Sequence, residues 1–455
     1  MNLRRVCLLA AALLLLAACS SGRTDTVTTA GGPSGSTGGT TATAGCDGVD
    51  LTATDTGITA DRITLQTIAD TGSQAIPGMA NGSIEAVRAW AQMLNEQGGL
   101  ACRQIEIRTF DSKIDPNETR SGMVDACQNA FADVGDFTLA VADMTPIAEC
   151  GPTGLPHVPA AAPSALVACN PSTFLAQGSG FACPPAQGAR TFTVSSGLGD
   201  YLRQQVGGDA VGLFQVGYSS PAYLEIVMPQ VVEMQAQGLS GDVHGAKGSD
   251  PQSAYTPAVA KMKATGAQFV FNNATFPSFL QLQAEAAAQG ATVPHWICQA
   301  TCYAPAYPKA AGPLATGVQV VLGQLPFEEA ALNPELQTFV DRVQTHNTFS
   351  MGSWLSARLF QQAVEAVVAE DGPNGLTRQS ILDALAQVRD FDASGLIGPV
   401  TPADRTPNLC SVIVTVNAAG GFDRAFPTEP GTLNCGTADQ QTFDPVQAFS
   451  QGSAS

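Results

Sequence analysis

Residues 63–73 read ITLQTIADTGS, residues 84–100 read IEAVRAWAQMLNEQGGL, and residues 104–116 read QIEIRTFDSKIDP. Together they decide the fold. Ile63 to Ala69 is an apolar run of strand length, closed by the turn Asp70-Thr71-Gly72-Ser73. Ile84, Val87, Ala91 and Leu94 then recur on one face of a helix, and Gly98-Gly99 stops it. Gln104 to Phe110 alternates as a strand, and Asp115-Pro116 opens a second helix that runs to about Phe131. Strand, helix, strand and helix in this order build a parallel sheet covered by helices.

The rhythm continues outward. Phe137 to Ala142 is predicted as a third strand and Val158 to Ala161 as a fourth. It restarts with strands at Val211–Val216, Asp242–Ala246, Gln268–Phe271 and Thr292–Ile297. Helices are predicted between them at Pro221–Gln237, Gln252–Ala264 and Phe279–Gln289. Val318–Leu322 and Val412–Val416 are later strands. Helices follow at Glu335–Gln344, at Trp354–Ala369, and from a Thr377 cap to Val388. Two such sets imply an α/β protein of two Rossmann-like lobes with a cleft between them. The Gly/Pro/Ser-rich segment Cys169 to Gly188 lies between the sets as a stapled loop near the crossover.

The N-terminal end sets the compartment. Arg4 and Arg5 precede an apolar run, Val6 to Ala18, which is too short for a permanent membrane span. Residues 1–18 read as a signal peptide. Leu16-Ala17-Ala18-Cys19 resembles a bacterial lipobox, which implies lipidation of Cys19. Residues 19–45 are nearly all Ser, Thr, Gly and Ala and read as a flexible tether. The chain has 455 residues with 21 basic and 39 acidic groups, a formal charge of -18. Such a surface repels nucleic acid and anionic lipid.

Of 12 cysteines, Cys7 leaves with the signal and Cys19 takes the lipid. The remaining ten, in an exported protein, read as five disulfides. The expected pairs are Cys46–Cys150, Cys102–Cys127, Cys169–Cys183, Cys298–Cys302 and Cys410–Cys435. Cys102 begins a strand and Cys127 ends the following helix, which places both at one edge of the sheet.

Enzyme motifs are missing. There is no Gly-x-Ser-x-Gly elbow, no His-Glu-x-x-His, no Walker A loop and no Gly-x-Gly-x-x-Gly after a strand. His157, His244, His295 and His346 are scattered. His295 with Cys298 and Cys302 has the makings of a metal cluster, but export favours the disulfide. Glu328-Glu329 are adjacent and do not face each other across a substrate. No catalytic residue, metal or cofactor is expected. What remains is a set of polar turns after strands, where open α/β sheets bind ligands. The candidates are Thr71, Gly72 and Ser73; Asp143, Met144 and Thr145; Ser164 and Ala165; Tyr218 and Tyr223; Asn273 and Thr275; and Gln299.

Gly57-Ile58-Thr59, Asp61-Arg62-Ile63, Ala89-Trp90, Asn95-Glu96-Gln97-Gly98-Gly99-Leu100, Phe110-Asp111-Ser112 and Asp115-Pro116 resemble the type I periplasmic binding proteins of the branched-chain amino acid class. These are receptors of ABC importers. Gly395 to Val400 and Asn417 to Phe422 add to the likeness, which spans about residues 57–424. The resemblance implies two hinged lobes, 46–190 with 318–389 and 191–317 with 390–455. It puts first-lobe ligand turns at Asp143–Thr145 and Pro163–Ala165. It further implies a monomeric receptor that binds a small molecule, amino acid or amide-like, and docks on an ABC permease. The stretch 296–302 lacks the carboxylate with which relatives often meet a ligand ammonium, so a neutral or apolar ligand is an equal expectation. A sensing receptor of the same fold without transport is the alternative.

Overall fold

The computed structural model describes residues 46, 48–72, 78–184, 188–218 and 223–454. The expected signal peptide and tether, Cys19 and Ser73 lie outside them.

The opening stretch folds as its pattern dictates. β1 (Arg62–Ala69), α1 (Asn81–Glu96), β2 (Gln104–Asp111), α2 (Pro116–Asn129), β3 (Ala132–Val134), α3 (Thr145–Ala148), β4 (His157–Val158) and α4 (Ala165–Ala168) follow in order. The strands form a parallel sheet ordered β2-β1-β3-β4. Val87, Trp90, Ala91 and Leu94 of α1 are buried. Gly99 has φ +94°, and a Cβ there would stand 2.1 Å from the Arg103 carbonyl, so only glycine closes this turn. Asp115 caps α2 by accepting from the N–H groups of Asn117 and Glu118.

The expected strand at Phe137–Ala142 is not formed. The third strand is Ala132–Val134, and Phe137 makes only a single bridge to Ala69. Gly135, at φ +72°, turns the chain out of the extended path first. A Cβ at Gly135 would lie 2.4 Å from a Val87 methyl.

The second set comprises β5 (Arg190–Ser195), α5 (Gly197–Val206), β6 (Val211–Gly217), α6 (Leu224–Ala236), β7 (Ser240–Ala246), α7 (Thr256–Thr265), β8 (Phe269–Asn273), α8 (Phe276–Ala288), β9 (His295–Cys298), α9 (Ala306–Ala311) and β10 (Gln319–Leu322). The chain then runs through α10 (Pro334–Arg342), α11 (Thr348–Asp371) and α12 (Arg378–Gln387). It ends with β11 (Cys410–Val416), β12 (Phe422–Phe426), β13 (Asn434–Cys435), β14 (Ala438–Phe443) and α13 (Pro445–Ala454). The larger sheet is ordered β12-β11-β10-β9-β8-β6-β7, with β13 beside β11. β5 and β14 form a separate antiparallel ribbon.

The cores follow the sheets. Trp90, Trp354, Phe360 and Phe339 pack in the first core with β1, β3 and α10–α12. Residues 391–400 join this core through Phe391, Leu396, Ile397 and Val400. The stretch 318–322, expected with the first lobe, supplies β10 of the larger sheet instead. Three chain passes meet between the cores. The Asn408 N–H donates to the Gln177 carbonyl at 3.2 Å and its side-chain amide to the Gly323 carbonyl at 2.6 Å. The Gly180 N–H donates to the Arg405 carbonyl at 3.1 Å.

Among the described residues five disulfides form, three as expected: Cys169–Cys183, Cys298–Cys302 and Cys410–Cys435. The other two are Cys46–Cys102 and Cys127–Cys150, which replace the expected Cys46–Cys150 and Cys102–Cys127. Cys102 and Cys127 do share an edge of the sheet. However, α2 carries the chain from β2 past β1 to β3. Two strand spacings, about 10 Å, then separate the two positions, beyond the Cα reach of a disulfide.

Candidate functional site

The carboxyl edge of the small sheet is organised by two aspartates. Asp70 directly follows β1 and is fully buried. Its carboxylate accepts from Ser112 Oγ at 2.6 Å and from the N–H groups of Ile114 at 2.7 Å and Leu139 at 2.8 Å. It thereby draws the loops after β2 and β3 together. Asp111 ends β2, and its Oδ1 accepts from the N–H groups of Gly72 (2.9 Å), Thr71 (3.1 Å) and Lys113 (3.1 Å). Partial burial pushes the Asp111 carboxyl up, but the N–H groups of Gly72, Lys113 and Thr71 more than offset it and hold it below the ordinary range. A Cβ on Gly72 would stand 2.1 Å from Asp111 Oδ2, so a side chain there would push this carboxylate aside.

The next turn is also committed. Asp143 accepts from the Thr145 N–H at 2.9 Å and pairs with Arg120 Nε at 2.9 Å. Thr145 first, and then Arg120, hold its carboxyl below the usual range. Met144 is buried with Ile68, Met123 and Ile147, so it is a core residue, while Thr145 is exposed. Ser164 precedes α4, and the Ala165 N–H donates to Glu225 Oε2 at 2.9 Å. Glu225 belongs to α6, is 8% exposed, and pairs through its other oxygen with Arg190. A carboxylate from the second set of elements thus sits on a helix start of the first.

The remaining candidates lie at the carboxyl edge of the larger sheet. Tyr218 follows β6 and stacks on Phe449 of α13, with ring centroids 4.9 Å apart. The Tyr223 ring lies against Gly217, where a Cβ would be 2.6 Å from it, and burial pushes its phenol up. Asn273 Nδ2 donates to the Val227 carbonyl at 3.3 Å. Thr275 Oγ1 is 3.1 Å from Ser278 Oγ at the start of α8. The Gln299 N–H donates to the Asn272 carbonyl at 3.0 Å.

The structure therefore gathers Thr71, Gly72, Asp143, Thr145, Ser164 and Ala165 on one edge. It places Tyr218, Tyr223, Asn273, Thr275 and Gln299 on the other. The Ala165–Glu225 hydrogen bond joins the two edges. A hollow of about 540 Å³ beside the first edge is lined by Thr71, Asn81, Glu85, Arg88 and Arg342. A smaller cavity of about 180 Å³, by the chain crossings, is lined by Gly180, Phe181, Phe192, Glu225 and Pro407 among others. Asp70 and Glu225 were not among the sequence candidates. Each carries a signal: Asp70 is the acid that closes an apolar strand, and Glu225 is an acid in the apolar run Leu224 to Val232.

The family described as periplasmic binding protein matches residues 67–421. Among curated proteins none matches this sequence. A fatty acid ABC transporter substrate-binding protein from Thermomonospora curvata is 17% identical, with a TM-score of 0.63, over 85% of this chain and 99% of that one. A leucine-binding protein from Thermotoga maritima is 14% identical, with a TM-score of 0.61, over 85% and 99%. A periplasmic substrate-binding protein from Ralstonia solanacearum is 18% identical, with a TM-score of 0.61, over 80% and 100%. With a match across most of its length, and with two sheets whose carboxyl edges are bridged by Glu225, the chain belongs to the periplasmic binding protein family and has its type I fold.

Proposed function

We propose that this chain is the extracytoplasmic solute receptor of an ABC importer, held at the outer face of the cell membrane by lipid on Cys19. It acts as a monomer, takes a small molecule between two lobes, and presents the closed form to the permease. The lobes are 46–189 with 323–409, and 190–322 with 410–455. The chain passes at Gly180, Gly323 and Asn408 are the hinge. Thr71, Thr145 and Ser164 face the ligand from one side, and Tyr223, Asn273 and Gln299 from the other.

One observation carries the choice of ligand. The carboxylates of Asp111, Asp143 and Glu225 are engaged within the protein. Asp111 takes the N–H groups of Thr71 and Gly72, Asp143 takes Arg120, and Glu225 takes Arg190 and the Ala165 N–H. Among the described residues, none of these three carboxylates is left spare for a ligand ammonium, and the N–H groups of Thr71, Gly72, Thr145 and Ala165 are already taken by them. Burying an unpaired charge there is costly. A neutral molecule, amide-like or apolar, fits this edge better than a zwitterionic amino acid.

A thermal-shift screen of the mature chain tests the reading. Neutral amides and apolar solutes should raise the midpoint, by about 2.7 kcal/mol of stability at a hundredfold excess over the dissociation constant. A shift with free amino acids alone would refute the ligand class. Silence from every solute would refute the receptor.

A further inference from the structure

Away from both edges, three ionisable side chains meet in the interior of the small sheet. Asp133 lies on β3, directly opposite His157 of β4 in the parallel register, and Asp136 follows one residue after the Gly135 turn. Their exposures are 0%, 0% and 2% in that order. One donor atom from each lies within 4.8 Å of the others. His157 Nε2 is 3.1 Å from Asp136 Oδ1, and His157 Nδ1 is 2.8 Å from Thr173 Oγ1. Thr138 Oγ1 stands 3.4 Å from Asp136 Oδ2. Both Asp133 oxygens are buried without a hydrogen bond of ordinary geometry; the Ile68 N–H is the one group that favours its charge, and the Asp136 carboxylate and His157 ring lie close by.

We propose that Asp133, Asp136 and His157 hold one divalent transition-metal ion, zinc or manganese by its chemistry. Two carboxylates balance a divalent charge. Among the described residues, neither carboxylate forms an ion pair with a lysine or arginine. An imidazole donor turns the set away from magnesium and calcium, and the absence of thiolate turns it away from softer ions. The second shell is in place as well. Thr173 fixes the ring orientation of His157 through Nδ1, so that Nε2, now 3.1 Å from Asp136 Oδ1, would turn its lone pair to an ion placed between them, and Thr138 orients Asp136. The ion explains why the Asp133 oxygens lie buried beside a second carboxylate and the His157 ring without bonding to the imidazole. It ties β3, the Gly135 turn and β4 into one unit. The loop so fixed is the one whose Leu139 N–H meets Asp70 at the candidate ligand edge.

The site is enclosed, so the ion enters during folding. The test uses mature chain without a histidine tag, unfolded in chelator with disulfides intact, then refolded with or without zinc or manganese. Elemental analysis after dialysis should find about one metal per chain. The thermal midpoint should be several degrees higher than in the metal-free refold. Asp133→Asn and His157→Gln should each lose the metal. If one of these variants fails to fold, the wild-type comparison of the two refolds stands by itself. Wild type that holds no metal and refolds to the same midpoint either way overturns the proposal. So does stoichiometric metal that persists in folded Asp133→Asn. These outcomes are separate from ligand binding, so the solute screen stands or falls apart from them.

Discussion

Arg103→Lys is the substitution whose effect the structure fixes most fully. Arg103 is 1% exposed and has no carboxylate partner. Its guanidinium has five N–H donors and makes five hydrogen bonds. The acceptors are the carbonyls of Thr59 (2.8 Å), Ala101 (3.0 Å), Pro373 (2.7 Å) and Thr52 (3.0 Å), and Asn374 Oδ1 (3.0 Å). The side chain thus pins the N-terminal strap, the turn before β2 and the turn after α11 to one point. A lysine brings three donors from a single atom, so at least two acceptors lose their partner. Each charge-assisted bond is worth about 1.5–3 kcal/mol net, and the outer acceptors regain water, which puts the loss near 3 kcal/mol. Urea unfolding followed by tryptophan fluorescence, with disulfides oxidised, reads this directly. Trp90 and Trp354 report on the first core, which Arg103 borders. A lower midpoint at unchanged slope is expected. A loss below about 0.5 kcal/mol would mean that the five bonds do no net stabilising, and the reasoning would be refuted.

Four further outcomes follow from other features. Non-reducing peptide mapping should recover Cys46 with Cys102 and Cys127 with Cys150, and Cys46→Ser with Cys102→Ser should lose up to about 4 kcal/mol for a closed loop of 56 residues; a Cys102–Cys127 peptide would contradict the pairing. Burial, and then Asp439 and Asp200, raise Glu233 from 4.5 to about 8, while Gln237 and Gln230 oppose them. The folded chain therefore keeps a proton there that the unfolded chain releases, so stability falls as pH rises from about 4.5 to about 8 and then levels. Glu233→Gln should flatten that window and gain about 2 kcal/mol at its upper end, and parallel wild-type and variant profiles in thermal melts would refute it. Glu225→Gln breaks the pair with Arg190 and weakens the bond from Ala165, at a loss of about 2 kcal/mol. Small-angle scattering should then show a larger radius of gyration without ligand, and an unchanged curve would deny Glu225 a role in holding the two edges together. Cys19→Ala should abolish palmitate incorporation and release the chain into the medium; continued labelling would sink the lipid anchor.

The buried parallel strands were legible because apolar runs such as Ile63–Ala69 and Val211–Val216 admit few other readings. The short β3 was not, since its centre is Asp133 and its length is three residues. The β5–β14 ribbon was missed for the opposite reason. ADQQTF at 438–443 alternates exposed with half-buried, and its partner lies more than 240 residues upstream. The turns after strands were visible in the sequence, but their long-range partners were not. Thr71 and Gly72 look like free N–H groups until Asp111 is placed beside them. Asp143 looks like a spare charge until α2 delivers Arg120. The cysteine pairs that failed were those whose answer depended on which strand stands between two others.

The Cys46–Cys102 bond has a mechanical meaning under the proposed anchor at Cys19, which would pull on the chain from its N-terminal side. Tension that arrives at Cys46 has two routes into the body: along the strap at 48–61 to β1, or across the disulfide to the base of β2. The covalent route is shorter and bears the load. The strap, held by non-covalent bonds alone, from Arg103 to the Thr52 and Thr59 carbonyls and from the Thr52 N–H to Asn374, stays slack. Force therefore enters at an outer strand of the small sheet, and β1, the central strand on which Asp70 is mounted, is shielded from it. In reducing surroundings the same pull would reach β1 first and peel the strap away, so the grip of this receptor on its own frame depends on the redox state outside the cell.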